Sequence, residues 1–435
     1  MDKIIKNSYW LDYKYDPSEP LTKNIDVDIA IIGGGVTGIS AAYYLSDSKL
    51  KVALIEKHTI ASGSSGRSSG ALVPGLGIDF WEHVVNFGEK RAALIYKETQ
   101  NIIKDIATII NEQKIDCDFH ALSSYYLPWD KKGEEIIRKE HEYTQKYGID
   151  SNLMQRNEAF PELMVSGRFK SSLRYGTNYE SHALNPAKFL RGLAVIAKKR
   201  GVDMYENAPV LNIKSADSGF TIFTKNGNVT AKKLILATNT YLPSLARVTE
   251  KNYTVVPGFV IATEPMAENT LNAGKIVPKL IWDSRTDYGF IRVLPNGRVI
   301  MDGGAGIPVT RTLLGLSKTL LLRRLAQIND RIDDVSKTAI SNLHKELLKF
   351  FPQLDKVKIE YAWEGNEILS LSRRPCIGSD PINKNLLYAF GYSWHGLPIG
   401  FLAGKLLGKM CTGEPFDDSL EFLNFLKPVN SVRFL

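Results

Sequence analysis

The stretch Val27-Asp28-Ile29-Ala30-Ile31-Ile32-Gly33-Gly34-Gly35-Val36-Thr37-Gly38 decides the fold of this chain. It opens with a β-branched run that is apolar on both faces, which is typical of a strand buried in a parallel sheet. The glycines predict a tight turn, and the residues from Val36 to about Ser46 predict a helix. A second apolar strand follows at 51–56, so the region predicts one βαβ unit with a right-handed crossover.

The spacing of three glycines in this turn predicts a nucleotide site. Gly33 permits the tight turn, Gly35 lets the backbone approach a pyrophosphate, and Gly38 lets the helix pack closely on the strand. The helix N-terminus at Val36 and Thr37 offers free N–H groups and about half a positive charge to phosphates. A glycine-rich turn that binds no nucleotide is the alternative.

The carboxylate of Glu56 strengthens the nucleotide interpretation. It ends the second strand, 18 residues after Gly38, where it can accept hydrogen bonds from both ribose hydroxyls of an adenosine. A carboxylate there would repel a 2′-phosphate, which disfavours NADP.

A loop rich in small residues, Ala61 to Gly70, follows directly. Its open backbone N–H groups and hydroxyls predict contacts along a diphosphate and a sugar chain towards a flat ring. A flexible linker is the alternative. Within the loop, Arg67 can pair with a phosphate or brace the loop against a carboxylate.

The third motif is the turn from Gly391 to Gly400. A strand ends at Phe390, and the next helix begins near Leu397 with Pro398 in its first turn. The positive end of this helix would face whatever lies in the turn. For His395, a structural role and a place beside a ligand are both open.

These three motifs, in this order, resemble the FAD-dependent oxidoreductases of the D-amino-acid oxidase/glycine oxidase/sarcosine oxidase superfamily over roughly residues 25–410. The stretch Tyr361-Ala362-Trp363-Glu364-Gly365 is similar to the WxG element of that superfamily. The Ser8-Tyr9-Trp10 extension and the Gly391–Gly396 turn look most like γ-glutamylputrescine oxidase-like proteins. Trp394 departs from the pattern, because a small residue is usual at its position.

The resemblance implies a mixed α/β fold, with a Rossmann-like FAD-binding domain of the glutathione-reductase type and a mixed-sheet substrate domain. The implied boundaries are 1–24 for an N-terminal extension, 25–80, 151–245 and 355–412 for the discontinuous FAD-binding domain, 81–150 and 246–354 for the substrate domain, and 413–435 for a C-terminal tail. Residues 229–231 and 234–238 predict two separate strands, and 365–383 predict a loop. Residues 310–350 predict a long helical region.

The resemblance also implies which residues hold FAD. They are Gly33, Gly35, Val36, Thr37, Gly38, Glu56, Lys57, Ser62, Arg67, Ser68, Ser69, Gly70, Ala71, Leu72, Val210, Ala237, Thr238, Trp394, His395, Gly396, Leu397 and Pro398. Backbone N–H groups at the late turn would stabilise negative charge on the reduced flavin. Sarcosine-oxidase relatives tether flavin through a cysteine near the WxG element. That stretch has no cysteine here, so non-covalent FAD is expected, and no metal.

For catalysis, the resemblance implies hydride transfer from the α-carbon of a neutral amine or amino acid to flavin N5, followed by hydrolysis of the imine. The candidate catalytic and pocket residues are His395, Tyr288, Arg292 and His182. Arg292 would hold a substrate carboxylate through two parallel hydrogen bonds. A surface position on a hairpin is the alternative for this arginine.

The electron acceptor and the activity itself are both open. The sarcosine-oxidase relatives use a lysine near the flavin to promote its reaction with oxygen. The comparable strand here, Gly297 to Gly303, contains no lysine, although it contains Arg298. The acceptor is therefore oxygen or unknown, and a flavin-dependent dehydrogenase with another acceptor fits equally. The sequence is also compatible with a flavin-assisted RNA-modification protein and with a catalytically silent flavoprotein whose site Trp394 fills.

Composition sets the outer bounds on function. The 435 residues suggest two or three compact units at roughly 150 residues each, and 44% apolar with 23% charged residues excludes a disordered chain. The net charge of +8 suits anionic ligands, but no basic block singles out nucleic acid, so none is expected. Cys117, Cys376 and Cys411 lack metal-ligand spacing and fit a reducing cytosol. No run approaches the roughly 20 apolar residues of a membrane helix, so a cytoplasmic protein without a membrane span is expected.

Overall fold

The computed structural model describes residues 4–155, 171–175, 181–248, 253–266, 278–285, 288–303, 334–370, 372–415, 420–428 and 432–434. The strands in these ranges are β1 (Ile25–Ile32), β2 (Val52–Ile55), β3 (Ala71–Leu72), β4 (His120–Ala121), β5 (Ser123–Leu127), β6 (Ser151–Gln155), β7 (Ser171–Tyr175), β8 (His182–Ala183), β9 (Asp203–Tyr205), β10 (Val210–Ala216), β11 (Gly219–Thr224), β12 (Asn228–Leu236), β13 (Ala246–Val248), β14 (Tyr253–Thr263), β15 (Lys279–Asp283), β16 (Tyr288–Val293), β17 (Val299–Gly303), β18 (Ile359–Ser370), β19 (Cys376–Ser379), β20 (Leu386–Phe390) and β21 (Val432–Phe434). The helices are α1 (Val36–Leu45), α2 (Phe80–Phe87), α3 (Glu89–Gln113), α4 (Lys131–Lys146), α5 (Pro186–Lys199), α6 (Leu242–Leu245), α7 (Asp334–Phe350), α8 (Gly396–Thr412) and α9 (Leu420–Leu426). None of the helices described combines the length and apolar character that a membrane span requires.

The first large sheet contains the predicted βαβ unit. β1 pairs in parallel with β2 on one side and with β12 on the other, so Ile31 lies opposite Leu54 and Ile235. β9 extends the sheet beyond β2, and β20 joins in parallel to β12. β10, β11 and β19 add antiparallel pairs at the margins. The expectation of a mixed α/β fold with a Rossmann-like unit is confirmed.

Two expected element boundaries differ in the structure. Residues 229–231 and 234–238 were expected as separate strands, but β12 is continuous because it pairs with β1 from Val229 to Leu236. Lys232 pairs with Asp28 at 2.8 Å, and Lys233 Nζ donates to the Cys411 carbonyl at 2.8 Å. A polar pair therefore interrupts the apolar pattern without interrupting the strand.

The loop expected over 365–383 is shorter than predicted. β18 continues to Ser370 because it pairs with β14 from Tyr253 to Thr263, and β19 occupies Cys376–Ser379. α7 confirms the last part of the helical region expected at 310–350, and residues 310–333 lie outside the described ranges.

A stripe of glycines brings α8 against α1. Gly400, Gly404 and Gly408 recur every fourth residue and so share one face of α8. A Cβ on Gly404 would collide with the Ser40 side chain and would lie 2.5 Å from the Thr37 carbonyl oxygen. The two helices therefore pack closely, and their N-termini open on the same space.

The second large sheet has the order β18-β14-β17-β16-β15-β5-β7-β6. Its pairs are antiparallel except for β15 with β5. α7 covers part of it with Leu343 and Leu347, which pack against Ile261 and Met301 in one apolar cluster. β6, β7 and β18 belong to this sheet, although their residues fall in segments expected for the FAD-binding domain. A small third sheet has the order β3-β8-β4.

The segment at residues 5–15 lies largely on the surface and is anchored in the fold by the buried residues Ser8 and Trp10. Ser8 Oγ donates to the Gly66 carbonyl at 2.6 Å, and Trp10 Nε1 donates to the Ser68 carbonyl at 2.7 Å. Tyr361 Oη donates to Asp12 at 2.6 Å. Trp10 is 2% exposed. The segment therefore joins the serine-rich loop to the second sheet.

Candidate functional site

One large cavity lies where the carboxyl ends of β1 and β2 meet the second sheet. Its volume is about 1250 Å³, which exceeds the roughly 300–1,000 Å³ of a pocket for one small ligand. The residues predicted for the cofactor that line it are Gly33, Gly35, Val36, Thr37, Glu56, Lys57, Ser62, Arg67, Ser68, Ser69, Ala71, Val210, Ala237, Thr238, Trp394, His395, Gly396, Leu397 and Pro398. The sequence thus predicted residues that the fold brings to one space.

The glycine turn has the conformation that the sequence indicated. Gly33 has a φ of 110°, and a Cβ on it would lie 2.6 Å from the Ala237 carbonyl oxygen. A Cβ on Gly38 would collide with the Gly33 carbonyl oxygen, so Gly38 acts through packing and does not line the cavity. Gly35 is the residue before α1. The nearest atom to a Cβ on Gly35 would be the Ser65 hydroxyl oxygen at 3.1 Å, and the space around this position is otherwise open. A pyrophosphate fits this opening at the helix N-terminus.

Glu56 lies at the end of β2 and lines the cavity. Its Oε2 accepts a hydrogen bond from the Gly34 N–H at 2.6 Å, and its Oε1 accepts one from the His58 N–H at 2.8 Å. Burial raises the pKa of this carboxyl. The carboxylate is thus held in place beside the glycine turn, where an adenosine ribose fits.

Arg67 braces the serine-rich loop. Its Nε donates to the Ser62 carbonyl at 3.0 Å, and its Nη1 donates to the Glu364 carbonyl at 3.1 Å. Trp363 Nε1 donates to the Arg67 carbonyl at 2.9 Å. These contacts brace the loop and fix it to β18, but through backbone carbonyls rather than through the carboxylate that was expected.

The late turn is held in an uncommon backbone conformation. Ser393 and Trp394 have φ values of 50° and 72°, in the left-handed region that L residues rarely adopt. Hydrogen bonds to β18 support the turn, from the Ser393 N–H to the Ile368 carbonyl at 3.3 Å and from the Ser370 N–H to Ser393 Oγ at 3.0 Å. α8 then begins at Gly396, with its positive end at the cavity.

His395 lines the cavity as a neutral imidazole. Its Nε2 lies 3.1 Å from the Val73 carbonyl, which only accepts, so Nε2 carries the hydrogen. Burial lowers the pKa of His395 to about 4. The ring therefore brings no positive charge to the cavity near neutral pH.

Arg292 does not line the cavity. Its Nη1 donates to the Ser69 and Leu184 carbonyls, both at 2.8 Å, and its guanidinium lies 4.9 Å from the centre of a Trp10 ring. The side chain is 1% exposed, and burial lowers its pKa to about 9. Arg292 is therefore neither a substrate clamp nor a surface residue of a hairpin. The sequence could not predict this position, because the apolar run around Arg292 does not indicate that carbonyls of distant loops surround it.

The remaining candidate residues are scattered. His182 stacks on Phe119, with ring centres 4.9 Å apart, and does not line the cavity. Gly70 and Leu72 are also absent from the lining described. The backbone of Tyr288 belongs to β16, and its side chain lies outside the described part of the structure.

Several acidic and aromatic residues of the cavity were missed by the sequence analysis. They are Asp79, Glu82, Trp282, Phe290, Asp302 and Glu367. Burial raises the pKa of Glu367 to about 7. The sequence analysis missed Glu367 because its strand was predicted to be a loop. Asp79 and Glu82 could have been found, because their spacing is that of a capping box at a helix N-terminus.

The fold and the cavity define the class of the protein: a dinucleotide-binding flavoprotein with two sheets and the ligand space between them. The chain belongs to the DAO family, described as FAD dependent oxidoreductase, whose model matches residues 28–410. Its cofactor is FAD, and it is an oxidoreductase enzyme.

Known relatives cover nearly the whole chain. Gamma-glutamylputrescine oxidoreductase of Escherichia coli is 29% identical over 92% of this chain and 87% of that protein. A probable oxidoreductase, OrdL, of Haemophilus influenzae is 26% identical over 97% of this chain and 91% of that protein. The resemblance to this superfamily and to γ-glutamylputrescine oxidase-like proteins is confirmed.

Solved structures show the same fold. Glycine oxidase from Geobacillus kaustophilus matches with a TM-score of 0.71 and 17% identity, over 91% of this chain and 97% of that chain. L-alpha-glycerophosphate oxidase from Mycoplasma pneumoniae with FAD bound matches with a TM-score of 0.68 and 18% identity, over 89% of this chain and 95% of that chain.

Proposed function

We propose that this protein oxidises a C–N bond of a small amine or amino acid. FAD, when bound, accepts a hydride from the α-carbon of the substrate, and water then hydrolyses the imine product. The names of two relatives, a gamma-glutamylputrescine oxidoreductase and a glycine oxidase, support this substrate class. The single observation that carries the proposal is that the N-termini of α1 and α8 open on one cavity that continues beyond the late turn.

The residues of the chain orient the reactants and stabilise charge. The N-terminus of α8 at Gly396 favours negative charge beside the turn. Aromatic side chains, among them Trp282 and Trp394, line the space beyond. An aliphatic ammonium has a pKa near that of lysine, about 10, and an apolar surrounding lowers that pKa. These aromatic rings thus favour the neutral amine that hydride loss requires.

The positions of the three cysteines support non-covalent binding of FAD. Cys117, Cys376 and Cys411 are buried, and none is among the described residues that line the cavity. Denaturation by acid should therefore release all of the flavin into solution. Flavin that stays with the precipitated protein would contradict non-covalent binding.

The electron acceptor stays open in this proposal. Arg298, the basic residue near the expected lysine position, pairs with Glu360 at 2.6 Å and is 5% exposed. It does not line the described cavity. Both oxygen and another oxidant therefore remain compatible with the site.

The test is reduction of the bound flavin without oxygen. The purified holoprotein is mixed anaerobically with diamines, monoamines, N-methyl amino acids and D-amino acids, and the visible absorbance of the flavin is followed. Bleaching by at least one amine or amino acid is expected. If dithionite bleaches the flavin but no amine or amino acid does, the proposal fails and a catalytically silent flavoprotein is the better description.

A further inference from the structure

The lining of the cavity is rich in carboxylates. Besides Glu56 and Glu364, its acidic residues are Asp79, Glu82, Glu140, Asp283, Asp302 and Glu367. Some of these carboxylates have structural partners. Glu140 accepts hydrogen bonds from the first two N–H groups of α2, both at 3.0 Å, and Asp302 accepts one from the Phe290 N–H at 2.7 Å.

One arginine of the cavity lining is already neutralised. Arg285 Nη2 lies 2.6 Å from Asp283, and Nη1 lies 2.9 Å from Glu346. Its guanidinium stacks over Trp129 at 3.4 Å from the ring centre. Because Arg292 is also turned away, neither of these two arginines is ready to bind a substrate carboxylate. Arg373, which lines the cavity too, follows β18 near the late turn.

Glu367 points to a cationic ligand independently of the other acids. Its Oε1 is closed off from solvent and has no hydrogen-bond partner in the described structure. The side chain of Asn239 and the Ile368 N–H offset only part of the burial. Burying a carboxylate without a cation is unfavourable. Its Oε2 lies 3.8 Å from where a Cβ on Gly396 would be, which places the carboxylate beside the late turn.

A second carboxylate pair lies further along the cavity. Asp79 Oδ2 accepts hydrogen bonds from Tyr126 Oη at 2.9 Å and from Trp81 Nε1 at 3.2 Å, while Glu82 accepts the Asp79 N–H at 3.3 Å. Burial, together with the charge of Glu82, raises the pKa of Asp79 to about 7. A cation between Asp79 and Glu82 would relieve this repulsion.

Aromatic rings line the space that these carboxylates share. Trp282 lies with its ring centre 5.8 Å from Tyr126 and 5.4 Å from Phe290. Trp394 is 40% exposed and also lines the cavity. Such rings bury a methylene chain and attract an ammonium group.

We propose that the substrate is an aliphatic diamine or polyamine, whose reacting amine lies beside Glu367 and whose second ammonium lies at Asp79 and Glu82. This inference rests on the proposed function and names the substrate class of the same site. Glu367 takes up a proton from the bound ammonium, and the carbon of the resulting neutral amine gives a hydride to FAD. Water then converts the iminium product to an aldehyde and ammonium.

The test compares ligands on the holoprotein by isothermal titration calorimetry and by anaerobic flavin bleaching. The probes are putrescine, cadaverine and spermidine, with butylamine and N-methylglycine for comparison. We expect at least one of the three polyamines to bind at least tenfold tighter than butylamine, about 1.4 kcal/mol, and to bleach the flavin faster than N-methylglycine does. Butylamine binding equally well, or N-methylglycine bleaching the flavin faster, overturns the inference but leaves amine oxidation intact. Bleaching by no amine or amino acid overturns the proposed function as well.

Two variants assign the two ends of the substrate. Asp79→Asn keeps a residue that caps α2 well, and it should remove the preference for the polyamine over butylamine. Glu367→Gln should weaken both ligands at least tenfold. Asp28→Asn, which alters an exposed carboxylate paired with Lys232, serves as the matched control and should change neither affinity. Unchanged polyamine preference in a flavin-loaded Asp79→Asn protein refutes the assignment.

Discussion

At the scale of single residues, Gly35 and Gly148 allow a comparison. Gly35 lines the cavity and meets only the Ser65 hydroxyl, whereas Gly148 is exposed, has open space around its Cβ position and does not line the cavity. Gly35→Val should raise the dissociation constant of FAD at least tenfold, about 1.4 kcal/mol, because the side chain occupies the place of the pyrophosphate. Gly148→Ala should leave this dissociation constant within twofold. Fluorescence titration of the apoprotein with FAD measures both, and equal affinities would show that the phosphates lie elsewhere.

Glu367 should make stability depend on pH. Its pKa is raised to about 7 in the folded protein by burial, and an unfolded glutamate titrates near 4.3. A raised pKa favours folding below the unfolded pKa, and this contribution is lost as the pH rises from about 4.5 to 7. The holoprotein should therefore lose thermal stability relative to Glu367→Gln between pH 5 and pH 8.

Melting temperatures of the two holoproteins at both pH values measure this effect. The comparison with the variant cancels the opposite contribution of His83 and His395, whose pKa values burial lowers to about 4. A constant difference between the two proteins across this range would show that Glu367 is ionised throughout.

Single residues also mark the limit of what the sequence predicts. Gly33 and Glu56 were predictable because the motif fixes them by local spacing. Arg292 and Glu367 were not, since the partners of each come from distant parts of the chain. Local pattern therefore identified the nucleotide end of the cavity and missed the carboxylates of the other end.

At the scale of elements, the contact between α1 and α8 is the feature to test. Gly404→Ala places a methyl group against Ser40 and the Thr37 carbonyl, and overpacking of this kind costs about 1–3 kcal/mol. Gly408→Ala on the same helix meets its nearest atom, Tyr44 Cβ, at 3.2 Å, and the higher helix propensity of alanine offsets the contact. We expect a lower melting temperature and weaker FAD binding for Gly404→Ala only.

Elements with strong periodicity were predictable, and those set by pairing were not. α5 carries a start signal that can be read from the sequence, because Pro186 lies in its first turn and Asn185 precedes it. Asn185 caps the helix by accepting hydrogen bonds from two backbone N–H groups, both at 3.1 Å. The end of β18 was predicted to be a loop because Gly365, Asn366 and Glu367 interrupt its apolar pattern, although pairing with β14 keeps these residues in the sheet. Partner strands from distant sequence decide such boundaries.

At the scale of the whole molecule, Trp10 connects the N-terminal segment to the cofactor loop. Trp10→Ala should destabilise the protein by about 3–5 kcal/mol and should speed the loss of FAD, although Trp10 itself does not line the described cavity. Trp10→Phe keeps a smaller aromatic ring and leaves the Ser68 carbonyl without the Nε1 donor, so about 1–3 kcal/mol is expected. Denaturant titration and flavin release rates separate the two variants. Equal FAD release from Trp10→Ala and the unmodified protein would contradict the connection.

The same segment constrains when the flavin pocket can be completed during synthesis. Ile5 pairs with Tyr361, and Lys6 and Asn7 border the cavity. The ribosome synthesises these N-terminal residues several hundred residues before β18 and α8. The N-terminal segment therefore has no partner strand while the rest of the chain is being synthesised, and FAD binds at the end of translation or after it.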